Sequence, residues 1–348
     1  MRFMHMADVH LGCVPDGKKE WAKERSSELW ETFRSALDDA SRMGVSLVLI
    51  AGDLFHDTPT VNELREVSYL FSSYPDMCFA LIAGNHDCNA PGSAWDDFEF
   101  AGNVAFLGNT QCECVRFNAL NCEVYGFSYD RKVITEPRYD RIRPSKNDCL
   151  HILLAHGGDA SHIPISPRAM ERSGFDYIAL GHIHRPSVMV KDLAIYPGAL
   201  SPIDAGDEGP HGYMLAETSG HQVSARFIRK AKREYVSMTV LVDEQDTLFA
   251  IRDKLEIALD KRGRDNIYKI TLSGQRNPSV YIDTKILEKC GMITDITDRT
   301  VPAFHLDELR QRYSGQLIGK YIESFEGHER SLTEQKALQY GLEALLSQ

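Results

Sequence analysis

Five short polar motifs, each placed directly behind an apolar run, are the feature that most constrains this sequence. The apolar runs are typical of buried strands and lie at residues 3–7, 47–51, 79–83, 152–155 and 177–180. The motifs contain six of the thirteen histidines and are Asp8-Val9-His10, Gly52-Asp53-Leu54-Phe55-His56, Gly84-Asn85-His86-Asp87, Ala155-His156-Gly157 and Gly181-His182-Ile183-His184. Because strand ends in an α/β fold converge on one crevice, we expect these side chains to meet in space.

The motifs offer carboxylate, amide and imidazole groups and no cysteine. Such ligands are the set that two-metal phosphoesterases use. Two cations about 3.5–4 Å apart need a carboxylate that bridges them, and Asp53 is positioned for that role. One histidine behind a strand is usually an ordinary polar residue, but five such motifs in order indicate a dinuclear site. The other histidines lack this context and are predicted to be ordinary polar residues: His5, His151, His162, His211, His221, His305 and His328.

The composition limits the size, location and partners of the protein. With 348 residues, 43% of them hydrophobic, the chain can form one large domain and a smaller one. No segment is typical of a signal peptide or long enough to span a membrane, and eight scattered cysteines fit a reducing cytoplasm. The net charge of −11 argues against a broadly basic nucleic-acid surface, although two bound cations would still allow such a substrate. The basic stretches 138–143 and 226–233 are predicted to be solvated surface or linker, with a track for DNA as the alternative.

Strands and helices alternate along the first two thirds of the chain, which predicts a layered α/β sandwich rather than a barrel. A long helix over 18–42 ends at Gly44, and Thr58-Pro59 opens a second helix. The predicted apolar face of the first is Leu29, Phe33, Ala36, Leu37 and Ala40, and that of the second is Val61, Leu64, Val67, Leu70 and Phe71. We assign residues 1–228 to this domain.

A charged stretch at 226–234 predicts a boundary, and a small C-terminal α+β domain follows at 235–348. Its predicted elements are strands at 236–242, 267–272 and 292–296, helices at 247–262 and 284–290, and two terminal helices. Ser331-Leu332-Thr333-Glu334 has the pattern of a capping box that begins the last helix. The two terminal helices have apolar stripes, namely Leu306, Leu309, Tyr313, Leu317, Tyr321 and Leu338, Leu342, Leu345, Leu346. These stripes either bury each other or leave the last helix free to dock on the root of a coiled coil.

The order of the motifs resembles the calcineurin-like metallophosphoesterase superfamily over roughly the first 205 residues. The resemblance implies that Asp8, His10, Asp53 and His184 surround one metal ion, and that Asp53, Asn85, His156 and His182 surround the other. It implies that His86 contacts the phosphate and the leaving oxygen, as a general acid or a transition-state stabiliser. Asp87 either orients the His86 imidazole by a hydrogen bond or merely closes the turn. The resemblance implies manganese as the active metal, while the ligand set also suits iron or zinc.

The details of two motifs and of Tyr196-Pro197-Gly198-Ala199-Leu200-Ser201-Pro202 resemble the DNA double-strand-break repair nuclease branch, whose bacterial members are SbcD-type exonuclease subunits. This resemblance implies that His56 helps to position the phosphate and that the C-terminal domain is a capping domain. It also implies a DNA exo/endonuclease that works with an SbcC-type coiled-coil ATPase. A homodimer would form through the Val61–Phe71 stripe and residues 95–100, unless that stripe packs only on its own sheet.

Two other functions stay open at this stage. The chain could be a stand-alone phosphodiesterase or phosphatase for nucleotides or other small phosphates, which its acidic charge and the inserted Ala199-Leu200 favour. It could also be a metal-binding scaffold with little activity. A competition assay between duplex DNA and a generic diester distinguishes the nuclease from the stand-alone phosphodiesterase.

Overall fold

The apolar runs that precede the five motifs form strands of two neighbouring sheets in the computed structural model, which describes residues 1–327 and 329–346. The chain divides into two units, of which the first spans Met1–Tyr235 and the second begins at Val236. The strands of the first unit are β1 (Arg2–Met6), β2 (Leu47–Ala51), β3 (Cys78–Ile82), β4 (Val104–Phe106), β5 (Glu113–Phe117), β6 (Cys122–Gly126), β7 (Leu150–His156), β8 (Tyr177–Gly181), β9 (Ser187–Val190), β10 (Ala194–Tyr196), β11 (Gly212–Ser219) and β12 (Gln222–Arg229). Its helices are α1 (Ala22–Arg42), α2 (Val61–Ser72) and α3 (Pro167–Glu171).

The two sheets pack face to face, and the predicted layered α/β sandwich is confirmed. The strand order is β12-β11-β1-β2-β3-β4 in the first sheet and β5-β6-β7-β8-β10-β9 in the second. Strands β1 to β4 are parallel, and so are β6, β7, β8 and β10. A shared apolar core joins β1, β2 and β3 of one sheet to β6, β7 and β8 of the other. The motifs therefore follow parallel strands of both layers.

Burial on both faces explains the continuous apolar runs. Leu49 of β2 packs with Leu154 of β7 in the core between the sheets. Its neighbours Val48 and Ile50 point the other way, into the cluster that includes residues of α1 and α2. A strand covered on both faces leaves no place for a polar side chain along its length. In β2 the polar groups therefore come only after the strand ends.

Helices α1 and α2 bury the predicted faces but begin later than predicted. The five apolar residues predicted for α1 are all buried, and the helix begins at Ala22 rather than at residue 18. Helix α2 begins behind Thr60, not at Thr58-Pro59, because Thr60 and Glu63 form a reciprocal capping box. Of its stripe, Leu64, Val67 and Phe71 are buried in the core of their own unit. These three residues thus pack on their own sheet, whereas Val61 of the stripe is 43% exposed.

The stretch predicted as a solvated linker or boundary belongs to the first unit. Strand β12 extends to Arg229, and Arg233 is 5% exposed. The Arg233 Nε atom donates to both carboxylate oxygens of Glu28 at 2.7 and 2.9 Å. Arg25 donates to Glu28 at 2.8 Å and to the carbonyl of Pro202 at 2.6 Å. This buried ion-pair network fastens the end of the unit, and the chain near β10, to α1.

The second unit contains a three-stranded sheet with helices. Its elements are β13 (Tyr235–Val242), α4 (Leu248–Arg262), β14 (Ile267–Arg276), α5 (Thr284–Leu287), β15 (Ile293–Pro302), α6 (Leu306–Arg312), α7 (Leu317–Glu323) and α8 (Leu332–Leu346). The sheet order is β13-β14-β15, and β14 and β15 are parallel. The first of the two predicted terminal helices is in fact two helices, α6 and α7. The chain breaks between them at Gly315, whose φ of +74° does not fit a helix.

The last helix packs within its own unit. Ser331 and Glu334 form the predicted capping box, with the Ser331 N–H donating to the Glu334 carboxylate at 2.8 Å. Leu338 and Leu342 are buried against Ile322 of α7, and Leu346 packs beside them. Leu306, Leu309 and Tyr321 of the first stripe pack in the same cluster, whereas Leu317 is 69% exposed. Leu338 and Leu342 are therefore not free to form a docking face. Across residues 1–327 and 329–346, no helix combines the length and apolar character needed to cross a bilayer.

We expect Glu28→Gln to destabilise the first unit by about 3–5 kcal/mol, because it leaves the buried Arg25 without its charge partner and Arg233 with Glu24 alone. Hydrogen bonds from Arg233, Arg25 and Lys232 outweigh burial and lower the pKa of Glu28 to about 2. A carboxyl whose pKa is lower in the folded state stabilises the fold above its unfolded pKa and loses that effect as pH falls towards 2. The difference in unfolding free energy between the two proteins, measured by urea denaturation, should therefore shrink between pH 5 and pH 2. A constant difference would contradict this account.

Candidate metal centre

The five motifs meet where the ends of the two sheets come together. The Asp8 N–H donates to the carbonyl of Gly52 at 3.1 Å, which joins the ends of β1 and β2. The His182 N–H donates to the Asp8 carboxylate at 3.0 Å, and the Nδ1 of His156 lies 2.8 Å from the carbonyl of Ala51. These last two contacts connect one sheet to the other. The predicted convergence of the strand ends is present in the structure.

One group of metal-ligating atoms comes from Asp8, His10 and His184. One ligating atom from each of them lies within 4.8 Å of the other two. The Nε2 atoms of His10 and His184 face each other at 3.0 Å. Asp8 and His10 are completely buried, and His184 is partly exposed. Solvent therefore reaches this group from the side of His184.

A second group of ligating atoms adjoins the first and includes residues from both sheets. Ligating atoms of Asp8, Asp53 and His156 lie within 4.8 Å of one another. The Asn85 Oδ1 atom lies 2.9 Å from His156 Nε2 and 3.0 Å from His182 Nδ1. The Asp53 Oδ2 atom lies 3.4 Å from His156 Nε2. All seven residues predicted as metal ligands are thus gathered in two adjoining groups.

The backbone at these residues is in an uncommon conformation. Among the residues with positive φ are four predicted ligands: Asp8 (51°), His10 (52°), Asp53 (51°) and His182 (96°). Left-handed backbone is unfavourable for residues other than glycine and tends to persist at functional sites, where the surrounding structure enforces it. The strand ends are therefore bent sharply to turn these side chains into the cluster.

Glycine at position 84 is required by close approach. A Cβ atom on Gly84 would lie 2.2 Å from the Asp53 Oδ1 atom and 2.7 Å from the Asp53 backbone nitrogen. A Cβ on Gly181 would lie 2.0 Å from the carbonyl oxygen of Ala51. Both glycines let one strand end approach the other more closely than any side chain would allow.

Burial and neighbouring carboxylates shift the pKa values of the clustered histidines in opposite directions. Burial raises the pKa of Asp8 to about 6 and lowers that of His10 to about 3. Burial also opposes a charge on His184, but the hydrogen bond to Asp207 and the charge of Asp8 raise its pKa to about 9. For His156, the charge of Asp53 likewise outweighs burial and raises the pKa to about 9. Without metal, protons on these two imidazoles balance the buried carboxylates.

His56 and His86 form a stacked pair at the edge of the cluster. Their ring centroids are 5.2 Å apart, and the His86 ring centroid lies 4.9 Å from that of His10. The backbone N–H of His86 donates to Asp53 Oδ1 at 2.8 Å. The Nδ1 atom of the His86 ring lies 3.0 Å from the carbonyl of His56. Both rings are partly exposed. They can therefore contact a substrate that approaches the metal ligands.

The alternative in which Asp87 orients the His86 imidazole is wrong. The two carboxylate oxygens of Asp87 accept hydrogen bonds from the N–H groups of Phe55 at 3.0 Å and Gly84 at 2.7 Å. The carbonyl of Asp87 accepts from the indole of Trp95 at 2.8 Å. Asp87 is completely buried, and its carboxylate holds the turn that carries Asn85 and His86. It stabilises the site through the backbone and has no contact with the imidazole of His86.

The sequence prediction missed two carboxylates and one histidine beside the cluster. Asp159 Oδ2 lies 2.8 Å from His182 Nε2, and Asp207 lies 3.1 Å from His184 Nδ1. His162, predicted to be an ordinary polar residue, shares Asp159, and its ring centroid is 4.4 Å from that of His182. A signal for Asp159 exists in the Gly157-Gly158 pair before it, which allows a tight turn behind β7. Asp207 lies in a loop with no such signal.

The other histidines predicted to be ordinary have such surroundings where the structure describes them. His5 is buried with its ring nitrogens 3.0 Å from the Tyr177 hydroxyl and 3.1 Å from the carbonyl of Leu180. His151, His211, His221 and His305 each contact nearby polar groups. The prediction for His328 lies outside the described residues.

The donor atoms fit a pair of divalent cations. Two ring nitrogens that face each other at 3.0 Å can share one proton or a cation, and Asn85 Oδ1 faces two further ring nitrogens. The Nδ1 atom of His10 is buried and has no hydrogen-bond partner among the described residues. Carboxylate, amide and imidazole donors suit manganese, iron or zinc.

Comparison with known proteins agrees with this geometry. Residues 1–186 match the model of the family described as calcineurin-like phosphoesterase. The chain belongs to the calcineurin-like phosphoesterase family. As a member of it, the protein is a metal-dependent phosphoesterase.

Relatives within the calcineurin-like phosphoesterase family include a metallophosphoesterase of Bacillus subtilis, YhaO, described as uncharacterized. It is 28% identical over 79% of this chain and 72% of its own length. The DNA double-strand break repair protein Mre11 of Methanocaldococcus jannaschii is 25% identical over 69% of each chain. Mre11 of Halobacterium salinarum is 25% identical over 86% of this chain and 78% of its own length. The resemblance found from the motifs is confirmed.

We expect Gly84→Ala to reduce metal uptake sharply, because the added Cβ would displace the Asp53 carboxylate. Gly102→Ala is a matched control, since a Cβ there meets nothing within 4 Å and the backbone is not left-handed. Elemental analysis of both purified variants measures the bound metal. Normal metal content in Gly84→Ala would show that Asp53 is not held where the structure places it.

Proposed function

We propose that the chain hydrolyses phosphodiesters with two divalent metal ions held by the seven clustered residues. Asp8, His10, Asp53 and His184 would hold one ion, and Asp53, Asn85, His156 and His182 the other. The observation that carries this proposal is that these residues come together where the ends of the two sheets meet, with the partly exposed pair His56 and His86 beside them. No purely structural role requires so many buried polar groups at strand ends.

Two divalent cations supply an activated water molecule and neutralise charge on the phosphoryl oxygens. Asp53 would hold both ions. Its carboxylate belongs to the second group, and its negative charge acts on His10 of the first group by opposing the lowering of the His10 pKa by burial. His86 places its Nδ1 atom 3.0 Å from the carbonyl of His56, so Nδ1 carries a proton and Nε2 is the nitrogen left for the substrate. The doubly protonated ring would give the Nε2 proton to the leaving oxygen, whereas the neutral ring would only accept a hydrogen bond there. His56, stacked on His86, would limit the orientation of that ring and contact the phosphate.

We propose DNA as the substrate, cleaved by exo- or endonuclease activity in DNA repair. Relatives with the name DNA double-strand break repair protein Mre11 support this choice over most of the chain.

Manganese is the metal we propose, with iron or zinc as the alternatives that the ligands allow. A coiled-coil ATPase of the SbcC type is the proposed partner, and a cytoplasmic location is supported by eight cysteines that are all free.

Three residues of the α2 stripe are not available to the proposed homodimer, since Leu64, Val67 and Phe71 are buried within their own unit. A dimer through this helix would have to use its outer face, where Tyr69 is 76% exposed and Val61 is 43% exposed. Light scattering at micromolar concentration distinguishes a dimer from a monomer.

A small phosphodiester is the second candidate substrate. The net charge of −11 favours it, because a polyanion is repelled by an acidic protein except near bound cations. Competition between labelled duplex DNA and a chromogenic diester, with manganese present, distinguishes the two. Inhibition of diester turnover by nanomolar to micromolar DNA supports the nuclease. A lack of inhibition by DNA supports the small-molecule enzyme, and a metal-loaded chain that cleaves neither substrate would support the scaffold.

We expect Asp53→Ala to lose both metal ions and His86→Ala to keep both. Asp53 would bridge the ions, whereas His86 would act on the substrate, so its loss should lower turnover about 10²–10⁴-fold. Elemental analysis and diester hydrolysis of the two variants, each checked for an unchanged circular dichroism spectrum, make the comparison. Two ions retained by Asp53→Ala would contradict the bridging role, and full turnover by His86→Ala would contradict the acid role.

A further inference from the structure

The two histidines of the motif at the end of β8 each contact a carboxylate on the ring nitrogen that faces away from the cluster. His182 places its Nε2 atom 2.8 Å from Asp159 Oδ2. His184 places its Nδ1 atom 3.1 Å from both carboxylate oxygens of Asp207. The outer nitrogen is therefore Nε2 in one ring and Nδ1 in the other.

The inner nitrogens differ in the same way. The Nδ1 of His182 lies 3.0 Å from Asn85 Oδ1, in the second group of ligands. The Nε2 of His184 lies 3.0 Å from His10 Nε2, in the first group. A neutral imidazole carries a proton on only one nitrogen, so a carboxylate at the outer nitrogen leaves the inner lone pair free for a metal. The two rings require opposite tautomers.

Both carboxylates are themselves held in place. Asp159 Oδ1 accepts hydrogen bonds from the N–H groups of Ser161 at 2.7 Å and His162 at 2.9 Å. Asp207 Oδ2 accepts from the N–H of Ile203 at 2.9 Å. These backbone donors fix each carboxylate before it meets its imidazole. The ring orientation is thus determined by two loops that lie outside the motifs.

We propose that Asp159 and Asp207 are positioning residues that fix opposite tautomers in His182 and His184, so that each carboxylate controls a different metal ion. Asp207 would serve the ion near Asp8 and His10, and Asp159 the ion near Asn85. The proposal rests on the dinuclear site of the proposed function. Each carboxylate would then set the affinity of the protein for one ion, although neither carboxylate contacts an ion.

The group of Asp159, His162 and His182 could instead be read as a metal site of its own, since their ligating atoms lie within 4.8 Å of one another. Hydrogen bonds already account for this arrangement. Both oxygens of Asp159 lie 2.9–3.0 Å from His162 Nδ1, and Oδ2 also lies 2.8 Å from His182 Nε2. A third ion in the wild-type protein that His162→Ala abolishes would overturn the role given to Asp159.

The first measurement is the tautomer of each ring. The 348-residue chain is labelled with ¹⁵N-histidine and loaded with zinc, which is diamagnetic. Long-range proton–nitrogen spectra then report which nitrogen of each ring is protonated. We expect His182 protonated at Nε2 and His184 at Nδ1, with assignments from His182→Gln and His184→Gln. Asp159→Ala should change only the His182 signal, and Asp207→Ala only that of His184. The same tautomer in both rings would overturn the proposal.

The second measurement is metal affinity by titration calorimetry with manganese. Each Asp→Ala variant should weaken one of the two ions about 10–100-fold, the usual effect of losing a carboxylate behind a ligating histidine. Asp159→Asn and Asp207→Asn should recover part of the loss, because an amide oxygen still accepts the N–H. Asp57→Ala removes an exposed carboxylate that bonds no ligand, and should change affinity less than about two-fold because exposed charges are screened.

Double variants test the pairing. Asp207→Ala should not weaken manganese binding further in a His184→Ala protein. In a His182→Ala protein it should weaken manganese binding as much as it does in the wild type, since only residues in contact are coupled. Asp159→Ala should behave in the opposite way. Full effects in both backgrounds would overturn the assignment of one carboxylate to one ion. A wild-type chain that binds two ions but cleaves no diester contradicts the proposed function alone, whereas one that binds no divalent ion contradicts both.

Discussion

The rest of the site depends on the burial of two carboxylates in one place. Asp8 and Asp53 are at most 1% exposed, and their ligating atoms lie within 4.8 Å. Like charges removed from water repel strongly unless positive charge lies beside them. In the metal-free chain, protons on His156 and His184 supply that charge. Divalent cations would supply more of it, so metal binding and proton release must be coupled.

This constraint also connects the site to the fold. His156, which ends β7, places its Nδ1 atom on the carbonyl of Ala51 at the end of β2 in the opposite sheet. Its own backbone N–H donates to the Tyr139 hydroxyl, and its carbonyl accepts from the Tyr129 hydroxyl. A side chain fixed at both its backbone and its outer nitrogen has one orientation. The packing of the two sheets therefore also sets the orientation of this ligand.

The sequence predicted whatever depends on position along a strand. Asp8, Asp53 and Asn85 follow strands whose apolar runs are unmistakable, and parallel pairing brings such ends together. It did not predict contacts that depend on the path of a loop. Asp159 and Asp207 reach their histidines only because turns after β7 and β10 fold back over them.

Local signals also fail where two principles compete. Asp87 stands beside His86 in sequence, which suggests a bond between them, but two unpaired N–H groups in a buried turn need acceptors more urgently. The apolar stripe at 306–321 continues through a stretch that Gly315 prevents from being helical. Periodicity records which side chains must be buried and not whether the backbone between them is continuous.

The charge of the chain bears on how a nucleic-acid substrate could reach the site. The positive charge of the cluster lies among buried carboxylates, and the whole chain carries −11. Long-range attraction of a polyanion is therefore weak, because screening limits each cation to about 10 Å at moderate salt. Under the proposed nuclease function, a basic partner would strengthen binding of the DNA backbone, whereas a small diester would gain little from one.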